Sequence, residues 1–140
     1  MTTETLEPPA RAAARPAYRT PLTVWLYVAG AWALAWWFLY DGLHQRLWGD
    51  YTRINGQLGP WADLAQSVGL DPQRLALFFV ALGAGLLGAS FGVMLRRPWG
   101  YYTALLLSAV ALLYLGFGTP VALACLLLLL LPSSRRHVQP

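Results

Sequence analysis

Thirty-four consecutive residues, Trp99 to Pro132, carry no charged side chain. So long an apolar stretch suits a helix only where water is absent. As one straight helix it would reach about 50 Å, well beyond a hydrocarbon core of roughly 30 Å. Gly116-Phe117-Gly118-Thr119-Pro120 falls near its middle and breaks it, which predicts two spans, 99–116 and 120–132, the second short for a full crossing. Two further charge-free runs, 21–40 and 75–95, are each long enough to cross. The expectation is an all-α fold, an integral membrane four-helix bundle, in one domain over residues 21–132.

Charge placement sets the expected topology. All ten basic residues are arginine, against six acids. Arg11, Arg15 and Arg19 precede the first run, Arg96 and Arg97 separate the second and third, and Arg135 and Arg136 follow the last. With four crossings these groups share one side, as the positive-inside rule requires, so both termini are expected to be cytoplasmic. The net +4 is then topological and does not point to nucleic acid. Residues 1–20, with Pro8, Pro9 and Pro16, read as a flexible cytoplasmic tail, and 133–140 as a second tail. Arginine-only basic usage with alanine and leucine richness fits a GC-rich bacterium, hence a multi-pass protein of the bacterial inner (cytoplasmic) membrane.

In the first run, Trp25 and Tyr27 mark one end and Trp36, Trp37 and Tyr40 the other, as amphipathic rings do at headgroup level. Residues 41–74 read as the one sizeable outer loop. Within it Pro60 to Val68 predicts a short helix stopped by Gly69, with Trp61, Leu64, Ala65 and Val68 on one stripe. Asp71-Pro72 is expected to cap the next helix. In that second span Ala84, Gly88 and Gly92 recur every four residues, as do Ala81, Gly85 and Ala89. Such spacing admits another helix backbone, so Ala84, Gly85, Gly88 and Gly92 are the expected packing residues.

Candidate chemistry is sparse. None of the four predicted spans holds an ionisable residue, which argues against a proton relay, an ion pathway or a small transporter. His44 and His137 fall on opposite faces, too far apart to share a metal. Cys125, the lone cysteine, permits no intramolecular disulfide. Asp41, Arg46, Asp50 and Arg53 suit a polar headgroup, a partner or a solvated loop. Trp25, Trp32 and Trp36, at i, i+7 and i+11, form a face that can stack on a quinone or pigment or pack on the second helix. With Tyr40 and His44, Trp32 and Trp36 form the candidate cofactor-binding set. Arg96-Arg97-Pro98-Trp99 is a basic turn suited to anionic lipid. Hydrolase elbows, phosphate loops, paired carboxylates and metal-helix motifs are missing from the sequence, so no catalytic or metal residue is assigned.

The order of these features resembles the DoxX-like family of small four-helix bacterial membrane proteins. The likeness runs over residues 22–132. A first span closes on Gly42-Leu43-His44-Gln45-Arg46-Leu47-Trp48-Gly49, an outer loop ends at Val68-Gly69-Leu70, and a small-residue helix, an arginine turn and two spans follow. The resemblance implies a quinone-dependent redox component that partners another membrane subunit. The sequence departs from the family at Ala81-Leu82-Gly83-Ala84, where an acidic residue would be expected.

Two functional expectations follow. The first is a non-catalytic small subunit packed within a larger membrane complex, respiratory or photosynthetic, contacting the lipid bilayer and other subunits or further copies of itself. The alternative is a DoxX-like, quinone-interacting redox component.

Overall fold

A computed structural model describes residues 19–49, 51, 65–71, 74–114 and 116–138. They are helical apart from short connections: α1 (Leu22–Trp48), α2 (Leu75–Met94), α3 (Pro98–Ala111), α4 (Gly118–Leu130) and α5 (Pro132–Val138). α1 and α2 are each long and apolar enough to cross a membrane. α4 and α5 make a third candidate only when taken together, and they are bent by 66° at Leu131. The structure thus carries two or three candidate spans.

α1 and α2 lie antiparallel along a seam written in sevens. On α1, Val24, Val28, Ala31, Ala35, Phe38, Gly42 and Gln45 are buried, at alternating steps of four and three. On α2 the same rhythm gives Ala76, Phe79, Gly83, Leu86, Ser90 and Val93. A 3.5-residue average period keeps one stripe facing the partner helix along the whole contact. Two points show how close the backbones come. A Cβ on Gly83 would stand 2.7 Å from the Ala35 carbonyl oxygen, and one on Gly42 equally near that of Ala76. In lipid no hydrophobic drive pulls helices together, so close packing of this kind supplies the attraction.

This seam differs from the expected stripe. Gly83, which no four-residue repeat singled out, carries the approach to α1. Gly92 does pack, but against α3, where a Cβ would lie 2.6 Å from the Cα of Gly100. Gly85 faces the Leu107 side chain. Ala84 and Gly88 are exposed, and nothing lies within 4 Å of a Cβ placed at Gly88. A four-residue repeat drifts around the helix, whereas the seam follows the seven-residue one.

α3 and α4 complete a ring in which α1 touches α2 and α4, and α3 touches the same two. Polar bonds tie the shorter pair in. The Tyr101 hydroxyl donates to the Leu129 carbonyl (3.1 Å), and the Cys125 thiol sits 3.9 Å from the Tyr27 carbonyl. Tyr27 is fully buried; it belongs to the core and not to an interfacial belt. The break between α3 and α4 falls at the glycines, with Gly116 at a φ of 106° and Thr119 Oγ1 donating to the Leu112 and Tyr114 carbonyls at 3.0 and 3.1 Å.

Three boundaries move, one being the end of α3, which stops at Ala111, five residues short of the predicted 116. α1 continues through Asp41 to Trp48, eight residues past the predicted end of the first span, and stops on Gly49 in the left-handed region. The expected C-terminal tail is helical as far as Val138, with Ser134, His137 and Val138 buried. Gly69 ends the loop helix as expected: Leu70 N–H reaches the Ala65 carbonyl at 2.7 Å. That helix's beginning, Asp50, Arg53, Asp63 and residues 1–18 lie outside the described residues. At the start of α2 the Arg74 N–H donates to the backbone carbonyl of Asp71 (3.0 Å), and the flanking position Arg74 makes no side-chain cap bond.

Candidate functional site

Asp41 lies two heptads beyond Tyr27 and one beyond Leu34, so the lengthened α1 carries it onto the buried face; it is 2% exposed. A carboxyl so placed must find donors. The Tyr114 hydroxyl donates to Asp41 Oδ2 at 3.1 Å, and the Trp37 indole N–H donates to the Tyr114 oxygen at 3.3 Å. Aromatic rings enclose this chain. Phe38 and Phe79 stack at 5.9 Å, and both meet Tyr114 edge-on, at 5.1 and 5.6 Å. Tyr51 closes the side with its ring edge-on to Phe79. Burial, reinforced by the negative charge of Asp41 and Asp71, pushes the Tyr51 phenol up to about 12. Sequence reasoning named Asp41 as a polar loop residue and missed its burial on α1. The seven-residue step from Tyr27 through Leu34 was the signal that would have found it.

The residues expected to bind a cofactor divide into two groups. Trp32 turns to α2: its indole N–H donates to Ser90 Oγ at 3.0 Å and its ring meets Phe91 at 5.8 Å. Tyr40 and His44 come together one turn apart, with ring centres 5.8 Å apart, and His44 stacks on Trp48 at 4.8 Å. Trp36 is 61% exposed on the same outward side of α1. Tyr40, His44 and Trp48 thus form a short aromatic ladder, and Trp32 stands apart from it. Among the described residues no three His, Cys, Asp or Glu side chains are placed to hold a metal.

The other end of α1 is basic. α2 ends with Arg96 in the left-handed region (φ 58°), where Arg97 N–H reaches the Gly92 carbonyl at 2.8 Å. That position ordinarily favours glycine. The Arg96 side chain reaches across to α5, its Nε donating to the His137 carbonyl at 2.9 Å. The buried His137 imidazole faces the Val93 and Met94 carbonyls at the end of α2. Thr23 Oγ1 lies 3.0 Å from the hydroxyls of both Ser133 and Ser134, tying α5 to the start of α1. His44 and His137 are therefore at opposite ends of α1. Compared with protein families, with curated proteins and with solved structures, the chain matches none.

Proposed function

We propose that this chain is a multi-pass component of a bacterial cytoplasmic membrane, with four crossings and both termini cytoplasmic. In this reading it acts as a non-catalytic subunit within a larger membrane complex. One observation carries it: the small-residue stripe on α2 that the fold leaves unused. Ala81, Ala84 and Gly88 are exposed one turn apart, and the space over Gly88 is open. Small residues at this spacing admit a second helix backbone, and inside the chain that task falls to Gly83 and Gly92 instead. The respiratory or photosynthetic character of the complex comes from the sequence expectation alone.

The test is purification of the tagged protein from its own membrane in mild detergent, with co-migrating proteins identified by mass spectrometry. A Cβ at Gly88 has no neighbour within 4 Å, so Gly88→Leu should fold and run normally while losing its partner. An unchanged complex in Gly88→Leu, or a lone monomer from the wild type, sinks the reading.

The aromatic ladder favours a second reading, a DoxX-like, quinone-interacting component. A flat ring fits against Tyr40, His44 and Trp48 with Trp36 alongside. Quinone should then be extracted from the purified protein and be lost in His44→Ala. Quinone-free protein at high yield counts against it.

A further inference from the structure

We infer that the arginine end of the molecule is a binding site for an anionic phospholipid, with α5 lying along the membrane surface as its floor. Four exposed arginines stand there, on two segments distant in sequence. Arg96 and Arg97 come from the α2–α3 turn; Arg135 and Arg136 come from the outward side of α5. The bond from Arg96 to the His137 carbonyl joins the two segments across 41 positions of sequence.

The arrangement is built, not incidental. α5 turns 66° from α4, which lays it across the end of the helix array. Ser134, His137 and Val138 anchor its inner side and leave Arg135 and Arg136 outermost. The described acids, Asp41 and Asp71, belong to the opposite end of the α1–α2 pair. All four cations are arginines, whose planar forks meet phosphate oxygens two at a time.

What surrounds the cluster selects a lipid over a free anion. Leu95 (69% exposed) and Trp99 (56%) flank the arginine turn, and Leu130 and Leu131 precede α5, also exposed. A phosphodiester headgroup on the guanidiniums would lay its acyl chains along this apolar rim, with the Trp99 indole at headgroup level. A soluble phosphate would use the charges and leave the rim bare. The inference rests on the chain being embedded in a membrane and is independent of any partner subunit.

The test is native mass spectrometry of the full-length protein in detergent, titrated with phosphatidylglycerol, with phosphatidylcholine, or with inorganic phosphate as competitor. Phosphatidylglycerol should bind in preference to phosphatidylcholine, and millimolar phosphate should not displace it. Arg97→Gln/Arg135→Gln/Arg136→Gln spares the Arg96 clasp and should weaken phosphatidylglycerol by about fivefold per guanidinium, on the order of a hundredfold in all. Phosphatidylcholine binding should not change. Should that variant fail to fold, the wild type decides: raising the salt must weaken phosphatidylglycerol selectively. Equal binding of the two lipids, undiminished binding in the variant, salt-independent binding or full displacement by phosphate would each overturn the inference. Retained lipid selectivity in Gly88→Leu separates this site from the subunit contact.

Discussion

At one end of α1 a carboxyl is buried among aromatic rings; at the other, arginines stand exposed around a short helix. The two ends share one scaffold and solve opposite problems. Asp41 is taken out of solvent and held by a directed chain, Trp37 to Tyr114 to Asp41. The arginines are kept outside, and Arg96 is anchored by a bond to the His137 carbonyl. The difference teaches where energy is stored. Burying a polar group commits its neighbours, because each lost hydrogen bond leaves an expensive orphan. An exposed guanidinium commits almost nothing until a ligand arrives, which is what a recruiting surface requires.

The comparison breaks most completely when the shared scaffold is forced apart. Gly83→Val places a branched side chain against the Ala35 carbonyl, and overpacking of this kind costs about 3 kcal/mol or more where backbone cannot yield. Thermal unfolding in detergent should show the largest loss of any single change here. Gly88→Val, over open space, should leave the midpoint nearly unmoved.

Next in size is the acidic end. Tyr114→Phe removes the donor to Asp41 and the acceptor for Trp37 together, and should destabilise by roughly 1–2 kcal/mol in the same assay. Asp41→Asn keeps an acceptor oxygen and should cost less. If the two variants were equally harmless, the buried chain would be no more committed than the exposed arginines.

At the basic end a smaller and differently signed effect is expected. Arg96→Gly loses the clasp to His137 but relieves a left-handed backbone that costs about 1–2 kcal/mol for a residue with a side chain. Global stability should therefore change by under about 1 kcal/mol, the difference of two comparable terms. Hydrogen exchange should nonetheless quicken in α5 alone. Quickening throughout the chain would show the clasp to be part of the core.

An effect absent at neutral pH belongs to Tyr51. Its folded-state pKa, about 12, stands above the ordinary 10.0, so the folded protein holds the phenol proton more tightly than the unfolded chain. The associated stability is complete below 10.0 and is lost as pH rises from 10.0 towards about 12. Stability against alkali should fall less steeply over that window in Tyr51→Phe. An identical slope would remove Tyr51 from the surroundings of Asp41.

Much of the helical content was legible. The uncharged runs named the apolar segments because a charge cannot rest cheaply in hydrocarbon, and glycine marked the stop at Gly69 and the connection at Gly116, where left-handed backbone excludes most other residues. Hydropathy, however, reads which residues tolerate lipid; it does not read where a helix ends. α1 therefore ran on past Tyr40 unseen, and Asp41 was assigned to a loop although it lies on the buried face. Tyr27 looked like an interfacial ring for the same reason: an aromatic side chain suits a core and a headgroup layer equally.

The sequence by itself determined that this chain is helical, apolar and segregates its arginines from its long uncharged runs, since those follow from composition and the order of charges along the chain. Only the tertiary structure decided which small residues meet, Gly83 with Ala35 and Gly92 with Gly100, and that Arg96 and His137 are neighbours. The physical reason is that local pattern fixes what each face can accept. The choice among equally acceptable faces is made by shape, when backbones approach closely enough for one missing Cβ to matter.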